Sequence, residues 1–218
     1  MTIKQSWFVM PYKLKKIRFN GESGFRYPEE FAEKFIKEFT QKGDKILDPF
    51  AGFGTTLLAA QKLGRIGVGI EYDQSRCEYI QERIKSPSQI IHGDSLKIAD
   101  YNLPRFDFSL TSPPYMQSSD KENPLSNYTK PGVYAQYLKD LRKIYSQIKK
   151  IMKKNATIVI EVSNTFRAGH PMTPLAFDVA RKISKILYFE RELIYCVKDG
   201  KLKPGIANHS YCLIFKNK

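Results

Sequence analysis

Two short stretches hold residue types and spacings suited to chemistry. The first is DPFAGFGTT, Asp48 to Thr56. Its glycines, Gly52 and Gly54, let the backbone pass close to a ligand just before a helix begins, where the first N–H groups have no intrahelical partner. Glu71 follows about 20 residues after Gly52, the separation at which a carboxylate meets ribose hydroxyls in nucleotide-binding βαβ units. The third glycine of a dinucleotide fingerprint is replaced, because Leu57 and Leu58 follow, so this stretch alone fits an ordinary strand-to-helix turn as well as a nucleotide cradle. The second stretch is TSPPY, Thr111 to Tyr115, directly after the apolar run FDFSL. Pro113 and Pro114 have no N–H and a fixed φ, so they end sheet pairing and stiffen the backbone after Ser112, as a site requires.

The elements that must position these residues alternate in kind. PEEFAEKFIKEFTQKG places Phe31, Phe35, Ile36 and Phe39 at helical spacing between Pro28 and Gly43. KILDPF reads as a buried strand, TTLLAAQKLG as a helix closed by Gly64, IGVGIEY as a strand, and DQSRCEYIQERIK as a helix capped by Asp73. QIIHGDSL and FDFSLTS supply two more strands, YAQYLKDLRKIYSQIKKIM a long amphipathic helix, ATIVIEVS a strand and TPLAFDVARKISKIL a helix. FERELIYCVK and SYCLIFK flank a Gly/Pro turn and predict an antiparallel hairpin. Strands alternating with helices imply an α/β fold with a mostly parallel sheet, whose ligands bind at the carboxyl ends of the strands. Four of those ends in order are DPFAGFG, Glu71-Tyr72, His92-Gly93-Asp94 and Ser112-Pro113-Pro114-Tyr115.

Composition sets outer limits. At 218 residues with 42% hydrophobic content the chain suits one buried core and is short for two, so residues 1–218 are expected to form a single domain. The formal net charge of +14 and isoelectric point near 9.6 favour a polyanionic partner such as nucleic acid. The basic residues recur as Lys13–Arg18, Lys149–Lys154 and Lys198–Lys203, groups that also suit solvated faces. Cys77, Cys196 and Cys212 have neither disulfide-framework parity nor metal-ligand spacing, so no metal is expected. With no apolar run able to span a bilayer, the expectation is a cytoplasmic protein without a membrane partner.

Taken together, DPFAGFGTT, GIE, HGD and TSPPY resemble the S-adenosylmethionine-dependent methyltransferases that modify exocyclic amines of nucleobases, the N4-cytosine and N6-adenine enzymes. The resemblance covers nearly the whole chain. It implies a Rossmann-like class I methyltransferase fold: a seven-stranded, mostly parallel sheet with a C-terminal antiparallel hairpin and helices on both faces. It also implies that Asp48, Pro49, Phe50, Gly52, Gly54, Thr55 and Thr56 line the methionine end of S-adenosylmethionine. Glu71 would take the ribose, Tyr72 the adenine face and Asp94 the adenine amino group. Phe25 to Glu29 (FRYPE), with Tyr27 and Pro28, resembles the segment that closes over the methionine moiety. Ser112, Pro113, Pro114 and Tyr115 would form the catalytic motif. The Ser112 hydroxyl and the Pro113 carbonyl would accept hydrogen bonds from the target amine, and Tyr115 would stack on a base drawn out of its helix. Cytosine-C5 methylation needs a nucleophilic thiol, which this motif lacks.

Serine at the head of the motif resembles the cytosine-N4 version. Apart from Met116 to Tyr134, whose Pro, Ser and Asn content reads as a mobile substrate loop, little of these 218 residues is left for target recognition, and no separate target-recognition domain is expected. A basic enzyme without a reading domain suits a substrate selected by shape, so RNA, with ribosomal RNA foremost, is favoured here over DNA. The alternative is a site-specific DNA N4-cytosine or N6-adenine methyltransferase. A protein amino-methyltransferase and an inactive nucleic-acid-binding module stand behind both, and the oligomeric state is open. His92 and His170 read as structural, and Asn208 and His209 occupy a position where the family often has polar residues.

Overall fold

The fold was described from a computed structural model that covers residues 5–17, 19, 26–198 and 208–218. Phe25 of the FRYPE segment, Arg18 of the first basic group, and residues 199–207, which include the Gly/Pro turn of the hairpin and most of the third basic group, lie outside the described residues.

Eight strands form one sheet: β1 (Trp7–Pro11), β2 (Lys45–Asp48), β3 (Ile66–Glu71), β4 (Gln89–His92), β5 (Phe106–Thr111), β6 (Met152–Val162), β7 (Tyr188–Lys198) and β8 (His209–Lys216). Their spatial order is β1-β7-β8-β6-β5-β2-β3-β4. Strand β8 runs antiparallel to β6 and β7, and every other pair is parallel. The sheet therefore has one strand more than the seven expected. The extra strand, β1, alternates Phe8 and Met10 inward with Trp7 and Val9 outward, and the Phe8 ring stacks on Tyr195 with centroids 5.4 Å apart.

The helices are α1 (Glu29–Phe39), α2 (Thr55–Lys62), α3 (Gln74–Gln81), α4 (Tyr134–Ile151) and α5 (Leu175–Ile183). Phe31, Phe35 and Ile36 carry α1 into a core shared with Ile46, Phe108, Val159 and Ile214. The other sheet face holds Leu138, Leu141 and Ile148 of α4 with Leu175, Val179 and Ile183 of α5. Burying a side chain of this size contributes about 1.5–3 kcal/mol, so the two apolar stripes fix the helices to opposite faces. Helix α1 ends sooner than its sequence pattern suggests, because Thr40 turns extended while its hydroxyl donates back to the Ile36 carbonyl. Gly43 serves the turn into β2 instead, at φ +86°.

Strand order reverses between β2 and β5: β3 and β4 follow on one side of β2, and β6 follows on the far side of β5. Both chemistry-bearing stretches leave the carboxyl ends of these two neighbouring strands, which is where a doubly wound sheet opens a crevice for ligands.

Candidate active site

The floor of the crevice is a buried carboxylate. Asp48 ends β2 and accepts hydrogen bonds from Thr56 Oγ1 of α2 at 2.5 Å, Thr111 Oγ1 of β5 at 2.6 Å and the Phe50 N–H at 3.1 Å. Thr56 gives its proton to Asp48, so the Tyr27 hydroxyl donates to Thr56 in turn. Burial lifts the Asp48 carboxyl to about 6, against the pull of these three donors. Burial first, then the nearby Asp48, pushes the Tyr27 phenol well above its usual range, which keeps it a donor. Asp48, Tyr27 and Thr56 thus tie β2, β5, α2 and the segment before α1 into one unit beneath the crevice.

Above that floor lies a cradle. Gly52 and Gly54 adopt φ +56° and +77°, and Gly54 opens α2 as its left-handed cap. A Cβ on Gly52 would meet nothing nearer than 4.0 Å, so the space over this turn is open, whereas a Cβ on Gly54 would stand 3.0 Å from Ile80. Thr55 is the first residue of α2, while the Pro49 carbonyl accepts from Ser95 Oγ and Phe50 is half-buried against the core. Glu71, at the end of β3, accepts from the Gly52 N–H at 2.8 Å and from the Asp73 N–H at 3.0 Å, so it fixes the glycine turn itself. A carboxylate has about four acceptor sites, and the remaining ones suit hydroxyl donors. Burial raises the Glu71 pKa, opposed by the two N–H donors.

Tyr72 is half-buried beside Glu71, and its carbonyl meets the His92 ring at 3.2 Å. Asp94 follows β4 and accepts from the Leu96 N–H through Oδ1, which caps a 3-10 turn over Ser95–Asp100. Pro28 is buried as the N-cap of α1, directly after Tyr27. A glycine turn with open space above it, a carboxylate with spare acceptors and a second carboxylate one strand further on suit the methionine, ribose and adenine ends of S-adenosylmethionine.

Beside the cradle, β5 runs into the proline motif. Pro113 is buried, and its carbonyl takes no hydrogen bond among the described residues. The Pro114 carbonyl accepts from the Tyr137 hydroxyl of α4 at 2.8 Å, which anchors the stiff segment to the sheet's other layer. Ser112 Oγ lies 3.5 Å from the Tyr115 hydroxyl. That hydroxyl donates to Glu161 Oε2 at 3.2 Å and accepts from the Ser163 N–H at 3.0 Å, both on β6 and its exit. Sequence reasoning passed over Glu161 and gave Tyr115 only a ring. The signal was present: Glu161 is the one charged residue in the mostly apolar strand stretch ATIVIEV. Cys212 pairs with Glu161 in register and is fully buried. Burial, then the proximity of Glu161, pushes its thiol well above the usual range, so it stays a protonated, non-nucleophilic thiol.

The loop after Tyr115 is fastened at two points. The Ser118 N–H donates to Thr173 Oγ1 at 2.9 Å, Asn127 Nδ2 donates to Asp73 Oδ2 at 3.3 Å, and Pro124–Ser126 form a 3-10 turn between them. His170 sits exposed in the loop after β6, and the His209 ring meets its neighbour Asn208 at 3.1 Å; none of these three hydrogen-bonds to the proline motif, although the His209 carbonyl accepts from the Ser163 hydroxyl at 3.2 Å.

The sheet order and the helices on both faces are those of a Rossmann-like class I methyltransferase fold. Residues 2–82 match a family model described as DNA methylase, N6_N4_Mtase. The Type II methyltransferase M.MjaI of Methanocaldococcus jannaschii is 45% identical over 58 residues, 27% of this chain and 19% of that protein. The Type II methyltransferase M2.DpnII of Streptococcus pneumoniae is 34% identical over 76 residues, 34% of this chain and 28% of that protein. The chain thus aligns with less than a third of the length of these relatives. Among solved structures, the Thermus thermophilus 16S rRNA N2 G1207 methyltransferase in complex with AdoMet and guanosine superposes with a TM-score of 0.58 at 16% identity, covering 91% of this chain and 45% of that one. At that identity the likeness is one of fold. Among the described residues no helix is long and apolar enough to cross a membrane.

Proposed function

We propose that this protein transfers a methyl group from S-adenosylmethionine to an exocyclic amine of a nucleobase in DNA, with the N4 amine of cytosine as the preferred acceptor. The observation that carries the reading is the joint between Asp48 and Thr111, which sets the Ser112-Pro113-Pro114-Tyr115 motif against the glycine cradle. When bound, the cofactor supplies a methyl group made electrophilic by its sulfonium. The chain's own part is to prepare the amine, whose lone pair is delocalised into the ring and reacts poorly. The Pro113 carbonyl and Ser112 Oγ accept its two N–H bonds, favour a pyramidal nitrogen and hold it in line for transfer. The Tyr115 ring offers a face for the extruded base, worth about 1–3 kcal/mol.

Sequence reasoning favoured RNA. The match to a DNA methylase family over residues 2–82 and the Type II relatives support DNA instead, and the rRNA enzyme resembles the chain in fold alone. The loop 116–134 is the segment we assign to the substrate, since it carries exposed Lys121, Tyr128 and Lys130 directly after the motif. Ser112 in place of an amide or acid supports cytosine. Incubation with methyl-labelled cofactor and separate DNA, RNA and protein fractions, followed by digestion of the labelled pool, tests this reading. Labelled N4-methylcytosine from DNA is expected; label confined to RNA or protein contradicts it.

A further inference from the structure

Methyl transfer to an amine leaves a proton to be removed, and the site contains a path for it. Tyr115 has one phenolic proton and two oxygen lone pairs. The Ser163 N–H, at 3.0 Å, and Ser112 Oγ, at 3.5 Å, approach as donors to the lone pairs, which leaves the phenolic proton directed to Glu161 Oε2 at 3.2 Å. The chain Ser112–Tyr115–Glu161 therefore has a fixed direction, from the motif to a carboxylate on the neighbouring strand. The 3.5 Å link sits at the outer limit of a hydrogen bond, as catalytic contacts often do before substrate binds.

We propose that Glu161 is the terminal proton acceptor of the reaction, reached from the target amine through Ser112 and Tyr115. This rests on the amine-methylation reading above. As the nitrogen bonds the methyl carbon, the methyl–sulfur bond breaks with its electron pair left on the cofactor sulfur, and the nitrogen becomes cationic. It then loses one proton to Ser112 Oγ, while the Ser112 proton moves to the Tyr115 oxygen and the Tyr115 proton moves to Glu161 Oε2. The N-methyl amine leaves neutral, Ser112 and Tyr115 end as they began, and Glu161 ends as a carboxylic acid that returns its proton to solvent after product release.

The surroundings of Glu161 suit this task. Tyr12 follows β1, Tyr27 precedes α1, Tyr195 lies on β7, and Cys212 and Ser210 lie on β8; burial raises the pKa values of the four tyrosine and cysteine groups, and the carboxylate's charge reaches them and adds to the rise. The Ser210 hydroxyl, buried and without a hydrogen-bond partner among the described residues, lies near enough to Glu161 to lower its pKa. Burial raises the Glu161 pKa, more than its hydroxyl donors lower it, which moves it toward the range where a carboxylate works as a base near neutral pH.

The test is single-turnover methyl transfer from acid to mildly alkaline pH by wild type, Glu161→Gln and Tyr115→Phe, with infrared titration of the Glu161 carboxyl as an independent readout. Glu161→Gln is expected to slow transfer by about 100-fold and to lose the acid limb of the profile. Tyr115→Phe, which keeps the ring, is expected to slow transfer similarly while its affinity for the oligonucleotide stays near wild type. The carboxyl band should titrate above the ordinary glutamate range and shift in Tyr115→Phe. Wild-type rate and an unchanged acid limb in Glu161→Gln would overturn the relay and leave the amine-methylation reading intact, whereas absence of transfer by wild type to any nucleic acid strikes that reading first. Should Glu161→Gln fail to fold, Tyr115→Phe decides: wild-type rate or an unmoved carboxyl band overturns the proposal.

Discussion

Asp48 and Thr111 stand 63 residues apart in the chain and are joined by a 2.6 Å hydrogen bond at the point where the strand order reverses. One bond thereby couples the strand that delivers the glycine cradle to the strand that delivers the proline motif. The same carboxylate has a pH signature. Its pKa is lifted by burial from 3.8 to about 6, so below 3.8 it is neutral in both folded and unfolded chains and imposes no penalty. As pH rises through that window the unfolded chain ionises first, and folded stability falls by about 3 kcal/mol from this group before levelling off. Denaturant unfolding at a series of pH values should therefore show wild type losing stability relative to Asp48→Asn between pH 3.8 and about 6. A constant difference between the two proteins would remove the assignment.

Glu71 has two tasks, since it holds the Gly52 N–H and retains acceptors for ribose hydroxyls. Glu71→Ala should weaken cofactor binding by about 1–3 kcal/mol in calorimetry while the protein stays folded, because polar ligand groups lose their acceptors. Unchanged affinity would move the ribose elsewhere.

Gly54 combines a left-handed backbone at φ +77° with a side chain's absence over Ile80, 3.0 Å from where a Cβ would stand. Gly54→Ala should lower unfolding free energy by about 1–3 kcal/mol. An Ala variant as stable as wild type would show that the turn tolerates another conformation.

The basic surface divides by location. In the Lys149–Lys154 group, Lys149 donates to the Ile186 carbonyl and Lys153 pairs with Asp107, and the group lies where α4 enters β6, at the opposite end of the strands from the proline motif. Sequence alone shows the charges and not these commitments. Neutralising that group should leave the salt dependence of DNA binding nearly unchanged, whereas Lys121→Gln with Lys130→Gln should flatten the slope of log affinity against log salt by about 2. The reverse result would place the phosphates on the far edge.

Much of the fold was legible because its elements satisfy local rules: helical spacing in α1 and α4, apolar runs in the parallel strands, and Asp73 as a true cap that accepts from the Arg76 N–H. Strand β1 was missed, although Trp7 to Met10 alternates, because its value lies in a partner, β7, almost the whole chain away. The cradle and the proline motif were visible as motifs. What the motif does with its tyrosine hydroxyl was not, because Glu161 and Ser163 arrive from a strand whose pairing with β5 is a tertiary fact.

The central claim is that Ser112 and Tyr115 act on the target amine in different ways, and single-turnover transfer to matched cytosine and adenine oligonucleotides tests it most directly. Ser112→Ala should lower the rate on cytosine by at least about 10-fold with cofactor affinity near wild type, because it removes an acceptor used in the transition state. Tyr115→Ala should lower both the rate and the affinity for the base, since it also removes the stacking face. Full activity of both variants on the same substrate would contradict the account.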